Sequence, residues 1–439
     1  MNSNAVSPAA LNLKRNGILQ VMRVGKSLVM ALLLAVFVSK AGHGETSKFD
    51  RLEAYDPESQ FYLGKMYIDG LGVEADIAEA LYWFERAAES GQLAAQLTLG
   101  QLFREGDLVD QDNARASQWY RLAAEAGDPN AQFELGDMYI KGEGLTKDPE
   151  EAVKWFHLAA EQGLANAMNE LGRLYAIGEG VEKDSDKAVD WFTQSAEAGF
   201  SWAQYELGRY YAVGQFVEVN KPVSALWYER AAEQDNALAQ YELGLMYASG
   251  TGVAQNWEQA VAWLAQSLAL GNQLASYELA RLYAQGDGTG TKNMPEAIRL
   301  FQLASDDNNT WAQYELARIY AQGEGIPRDP VKSFSLYRAS AEAGNSWAQF
   351  ELARLYGSGE GVDKNSEQAL FWYTKSAEQG NAQAQVQIGH VFARGEGVEK
   401  DLQQAAQWYL RSAEQGVSEA LQAFYTLCQK NDAPEACAS

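Results

Sequence analysis

A tryptophan-aromatic pair recurs along this chain at a nearly fixed interval: Trp83-Phe84, Trp119-Tyr120, Trp155-Phe156, Trp191-Phe192 and Trp227-Tyr228 lie 36 residues apart. The series continues through Trp263-Leu264, slips once to 37 at Leu300-Phe301, and resumes at Leu336-Tyr337, Trp372-Tyr373 and Trp408-Tyr409. A second marker keeps the same period, from Leu63-Gly64 through Leu135-Gly136 and Leu243-Gly244 to Leu279-Ala280, Leu316-Ala317, Leu352-Ala353 and Ile388-Gly389. Self-similarity at this length marks a solenoid, whose units are too small to bury an apolar face alone and must stack on their neighbours. Such a chain is built to hold other molecules.

Residues 167 to 200 show the unit. Ala167, Leu171, Leu174 and Tyr175 fall at helical spacing and define one apolar stripe, with Gly172 beside it to let a second helix approach. Gly178-Glu179-Gly180-Val181 breaks the helix, because paired glycines accept left-handed backbone angles. A second helix is expected from about Asp184 to Ala198, with Ala188, Trp191, Phe192 and Ala196 spaced for burial and Gly199 as its cap. Pro149, Pro222 and Pro330 are expected at one common place where second helices begin, since no amide is needed there. Asp235 and Asn308 replace the helix-ending glycine in two units. Ten helix pairs span residues 57 to 417, and Ser418 to Cys428 reads as a half unit that covers the last apolar face.

Ala131-Gln132, Leu135-Gly136, Tyr139, Gly142, Gly144, Ala152, Trp155-Phe156, Ala159-Ala160 and Gly163 spell a pattern that resembles the Sel1-like repeat, a relative of the tetratricopeptide repeat. The resemblance implies an all-α fold, a right-handed α-α superhelical solenoid of about ten helix pairs. It also implies a role as adaptor or scaffold for protein complexes.

Residues 27 to 39 form an apolar run behind Arg23 and Lys26, too short for a membrane span and built like a signal-peptide core. Ser39-Lys40-Ala41 supplies small residues for cleavage, so 1–41 is expected to be a signal peptide and 42–56 a short linker; Met22 is a candidate true start. Two readings stay open: cleavage, which leaves a periplasmic or secreted protein with no membrane insertion, and an uncleaved segment that anchors it to the inner membrane. The cysteines are Cys428 and Cys437, within the cap and tail at 418–439. Beside an export signal they are expected to form a disulfide; two unpaired thiols are the alternative.

The chain carries a net charge of −24, and residues 1 to 41 hold five basic residues and no acidic ones, which takes the remainder to −29. A body this acidic is repelled by nucleic acid and anionic lipid. His43, His157 and His390 sit in unrelated places and form no catalytic or metal constellation with the cysteines. The Gly-x-Gly loops follow helices and lack a third glycine, so they are interhelical turns and not nucleotide loops. No enzymatic activity, cofactor or metal is expected. Glu170, Glu206, Glu278, Glu315 and Glu351 each precede an arginine by three residues (Arg173, Arg209, Arg281, Arg318, Arg354), a spacing that suits ion pairs.

On a wheel of 100° per residue, counted from the leading Ala of each first helix, positions three and seven and the residue before Ala fall opposite the apolar stripe. In tetratricopeptide-like arrays that side lines the concave surface. It carries Trp202, Tyr205 and Arg209; Tyr241; Tyr277 and Arg281; Trp311, Tyr314 and Arg318; and Trp347, Phe350 and Arg354. Trp, Tyr and Arg dominate interface hot spots. The expected function is an exported scaffold that grips a protein partner through this surface in repeats five to nine. A support for periplasmic exopolysaccharide assembly or export, with rings stacked on sugars, is the alternative. The rival structural reading has the aromatics packing between first helices.

Overall fold

The computed structural model describes residues 56–286 and 292–429, so the expected leader, nearly all of the linker and Cys437 lie outside the described residues. Among the described residues there are 21 helices and no strand. First helices take odd numbers: α1 Pro57–Asp69, α3 Leu93–Glu105, α5 Pro129–Lys141, α7 Ala165–Ile177, α9 Ser201–Val213, α11 Ala237–Ser249, α13 Leu274–Gln285, α15 Thr310–Gln322, α17 Ser346–Ser358 and α19 Ala382–Arg394. Their partners are α2 Ile77–Glu89, α4 Asn113–Glu125, α6 Pro149–Glu161, α8 Ser185–Glu197, α10 Lys221–Ala232, α12 Trp257–Ala269, α14 Met294–Asp306, α16 Pro330–Glu342, α18 Ser366–Glu378 and α20 Leu402–Glu414. A last helix, α21 Ser418–Cys428, follows.

Cα packing divides the chain into two compact units, the first ending at Tyr210 with 215–218 added, the second made of 211–214 and everything from Val219 on. In each, helix pairs pack in series. The chain is a solenoid of about ten repeats.

Local chemistry sets these helices. Asp76 accepts hydrogen bonds from the amides of Ala78 and Glu79 at the start of α2, and Asp148 and Asn256 do the same for α6 and α12. Such caps satisfy donors that a first helical turn leaves without partners, at about 1 kcal/mol each. Gly142 ends α5 with φ 73°, a left-handed turn that glycine adopts without strain. Asp235 and Asn308 also take positive φ, at 58° and 61°. Pro149 and Pro330 occupy the first position of α6 and α16, whereas Pro222 sits one residue inside α10, behind Lys221. The expected common register was therefore off by one there; the second position tolerates proline equally, since its amide also lacks a helical acceptor.

Nine of the ten pairs close in the same way, and the seventh differs by one residue. The amide of the residue capping the second helix donates to the carbonyl of a first-helix aromatic nine residues earlier, as in Asp148 to Tyr139 at 3.0 Å and Asp329 to Tyr320 at 2.9 Å. The core then forms where the stripes meet. Leu135, Phe156, Leu171 and Leu264 are fully buried, and among the described residues no Asp, Glu, Lys, Arg or His is buried. Close approach depends on the small residue at position six: a Cβ on Gly172 would lie 2.9 Å from the Phe192 ring, well inside contact distance.

Polar groups stitch one repeat to the next. The side-chain amide of Gln349 donates to the Ala341 carbonyl at the end of α16 (3.1 Å), and Gln96, Gln132, Gln204, Gln240 and Gln385 do the same one or more repeats away. Within pairs, buried Ser195, Ser267, Ser340, Ser376 and Ser412 donate to the first carbonyls of their own first helices at 2.6 to 2.8 Å. Finally, α21 buries Ala420 and Leu427 in a cluster with Val386, Ala405 and Tyr409.

Candidate partner-binding face

Trp202, Trp311 and Trp347 are each the second residue of a first helix, α9, α15 and α17. They are 50, 46 and 46 % exposed, although tryptophan is ordinarily the residue with most to gain from burial. Asn309 and Asn345 cap the helices that carry two of them and hold their first turns in place. Trp202 meets Tyr205 edge to face at 6.0 Å, and Trp311 meets Tyr314 at 6.1 Å. The first of these columns belongs to the first unit; Trp311 and Trp347 belong to consecutive repeats of the second.

Position three departs from the wheel. Its rings lie against the second helix and not opposite to it: Tyr277 packs on Phe301 at 6.0 Å, Tyr314 on Tyr337 at 5.7 Å and Phe350 on Tyr373 at 5.7 Å, as do Phe61 on Phe84 and Phe133 on Phe156. The reason is local. The second-helix ring crosses the first helix over the small residue at position six, and position three is the i−3 neighbour of six. A ring lying over six therefore runs into three. Tyr241 is likewise half-buried against the core of repeats six and seven, and burial pushes its phenol up to about 12, as it does for Tyr277.

Position seven is already engaged. Arg209 pairs with Glu206 at 2.7 Å, Arg281 with Glu278 at 2.7 Å, Arg318 with Glu315 at 2.9 Å and Arg354 with Glu351 at 2.8 Å, the i,i+3 pairs that the sequence spacing predicts. Arg318 and Arg354 also approach the glutamates of their own loops, Glu324 and Glu360, at 3.5 and 3.6 Å. Those glutamates bind a cation of the preceding loop as well: Lys292 reaches Glu324 at 2.9 Å and Arg328 reaches Glu360. The sequence reading missed this relay, because its members lie about 30 residues apart and only stacking brings them together. Glu242 has Leu245 where five other repeats carry arginine; burial raises its carboxyl above the usual range, with Lys221 opposing.

Cys428 ends α21 half-buried and is not a free thiol; its expected partner Cys437 lies outside the described residues. Among the described residues no group of His, Cys, Asp or Glu is arranged to hold a metal ion, and no helix is long and apolar enough to cross a membrane. What the first helices present uncommitted is exposed indole, at Trp202 in the first unit and at Trp311 and Trp347 in the second.

The family model described as Sel1 repeat matches ten consecutive segments, 57–92, 93–128, 129–164, 165–200, 203–236, 237–272, 273–309, 312–345, 348–381 and 382–417. Among solved structures, the chain is similar to c5321, a protective antigen present in uropathogenic Escherichia coli strains that displays an SLR fold. Identity is 33 %, covering 89 % of this chain and 95 % of that one, with a TM-score of 0.62. A Sel1 repeat protein from Oxalobacter formigenes is 27 % identical over 81 % of this chain and 98 % of its own, with a TM-score of 0.53. No curated protein matches.

Proposed function

The chain belongs to the Sel1 repeat family, whose members serve as protein-interaction scaffolds, and we propose that it is an exported scaffold that docks a protein partner on the tryptophans of its first helices. The observation that carries this reading is the pairing of exposure with commitment. Trp202, Trp311 and Trp347 stand about half exposed, while Arg209, Arg318 and Arg354 of the same helices are tied to glutamates and Tyr314 and Phe350 to second-helix rings. A partner pays desolvation to displace paired charges, but gains directly by covering exposed indole. Export is supported by the run from Ser27 to Ser39 with its basic flank and small-residue cleavage site.

The test is affinity capture from an envelope extract, with the parent chain and a Trp311→Gln/Trp347→Gln chain used side by side. A partner retained by the first and lost by the second supports the reading. Equal retention removes the tryptophans from it. Capture of polysaccharide in place of protein would transfer the role to the sugar-export alternative.

A further inference from the structure

The exposed indoles of the second unit have apolar company. Leu274, 56 % exposed, opens α13 at the place that Trp311 holds in α15 and Trp347 in α17, and Leu270, 48 % exposed, caps the end of α12 just before it. One large exposed apolar side chain therefore marks the start of three consecutive first helices. All lie on the edge where a second helix hands over to the next first helix. Short turns fix that edge: the Asn309 amide donates to the Ala304 carbonyl at 3.0 Å and the Asn345 amide to the Ser340 carbonyl at 3.1 Å, tying α14 to α15 and α16 to α17. A row of exposed leucine and tryptophan gains free energy from being covered.

Charge along the same edge says what covers it. The last residues of α14, α16 and α18 are Asp306, Glu342 and Glu378, with Asp307 next to the first, and all four are exposed. Asp306 accepts from the neutral Gln302 at 2.8 Å, and among the described residues no cation pairs with Asp306 or Asp307. Arg338 reaches Glu342 only at 3.7 Å and Lys375 reaches Glu378 only at 4.0 Å, with every one of these side chains more than half exposed. The loop edge differs, since Glu324 and Glu360 there hold Lys292 and Arg328. The apolar row thus borders four carboxylates met by two loosely held cations, and a basic surface complements it. Spacing sets the shape of that surface. Packed neighbouring helices stand about 8–10 Å apart, and a helix laid along the row returns to the same face every seven residues, about 10.5 Å. A strand returns every 6.7 Å or so and falls out of step. We propose that the partner, on the reading that the tryptophans dock one, presents a basic amphipathic helix. Its apolar stripe covers Leu274, Trp311 and Trp347, and its lysines or arginines face Asp306, Asp307 and Glu342. Long basic side chains suit the place, because their stems cover indole while their charges reach the carboxylates.

Fluorescence anisotropy with the full chain and three labelled 18-residue peptides tests this. One peptide is a lysine-leucine amphipathic helix, one keeps its lysines with glutamine for leucine, and one keeps its leucines with glutamate for lysine. The first should saturate at one peptide per chain near about 10 μM and weaken as salt rises; the other two should bind at least about tenfold less tightly. Leu274→Gln should weaken the first peptide by about fivefold or more with melting unchanged, because that side chain is exposed. Asp307→Asn/Glu342→Gln should weaken it too and flatten its salt dependence. Equal binding of either control peptide, or full binding by the Leu274→Gln chain, overturns the proposal. So does a dimer that Leu274→Gln dissociates while no peptide binds, which puts a second copy of the chain on the row. The capture comparison with Trp311→Gln/Trp347→Gln separates this inference from the reading beneath it. A partner lost by that chain while the lysine-leucine peptide fails to bind overturns the basic helix and leaves the tryptophan reading in place.

Discussion

Replacing Gln349 with alanine should weaken the joint between repeats eight and nine without touching either repeat's apolar stripe. Gln349 is 4 % exposed; its amide nitrogen donates to the Ala341 carbonyl at 3.1 Å and its oxygen accepts from Gln379 at 2.8 Å. The variant loses both bonds, at about 1 kcal/mol each, and leaves the Gln379 amide without that acceptor. The Ala341 carbonyl keeps its bond from the Gly344 amide, which bounds the loss. The sum is about 2 kcal/mol, about half of it in coupling between neighbours, since Gln349 and Gln379 share repeat nine while Ala341 belongs to repeat eight. In a nearest-neighbour array such a loss both lowers stability and reduces cooperativity. Urea unfolding should become broader, and native-state hydrogen exchange should show amides of α17 opening about 30-fold more often, the equivalent of that free energy. Gln322→Ala, which removes an exposed partner of Arg318, is the control and should change stability by less than about 0.5 kcal/mol. A Gln349→Ala chain that unfolds as sharply as its parent, with unchanged exchange in α17, would refute the view that buried glutamines hold the repeats together.

Three further outcomes are expected. Ser376→Ala should cost about 1 kcal/mol through the bond to the Ser346 carbonyl, while Ala159→Ser, the same position in repeat three, should gain a comparable amount; chemical denaturation reads both. The Glu242 carboxyl has a raised folded-state pKa, so the folded chain binds its proton more tightly than the unfolded one, and stability is lost as pH rises through that raised value. Glu242→Gln should therefore stabilise the chain at neutral pH and flatten the profile, whereas a melting temperature that falls on substitution would show that Lys221 governs the site. Oxidised chain should contain no titratable thiol until reduced, and reduction should loosen mainly α21, on the order of 2–3 kcal/mol for so short a loop; two free thiols in exported material would discard the Cys428–Cys437 bridge.

Much of this fold was legible because each unit repeats its own instructions. The second helix expected from about Asp184 to Ala198 runs from Ser185 to Glu197, and Gly172 does admit the Phe192 ring. Asp235 and Asn308 adopt the left-handed turn expected of their glycine counterparts. The candidate face was less legible. A helical wheel treats one helix alone, so it could not show that the ring crossing Gly136 would reach Phe133, or that Tyr314 would lie on Tyr337. It placed the Glu315–Arg318 pair correctly, because both partners share one helix. Gln132 and its equivalents were visible in the motif, but their acceptors are carbonyls of the preceding repeat, which no local pattern reveals. The extra residue in repeat seven was visible as a slip in period, and the closing hydrogen bond spans it: Asn293 reaches Tyr283 ten residues back and not nine.

The central claim is that the exposed tryptophans serve recognition and not folding. Its most direct test replaces Trp202, Trp311 and Trp347 together by glutamine, the residue that Gln383 supplies at that place in repeat ten. Melting and partner affinity are then measured on the same protein. The edge contacts to Tyr205 and Tyr314 are worth about 1 kcal/mol each, so melting should shift only slightly. Covering the remaining surface of one indole, about 100 Å², contributes roughly 2 kcal/mol or more to binding, so affinity for the captured partner should fall by well over tenfold. A sharp drop in melting temperature with normal binding by the folded fraction would contradict the account and make the tryptophans structural.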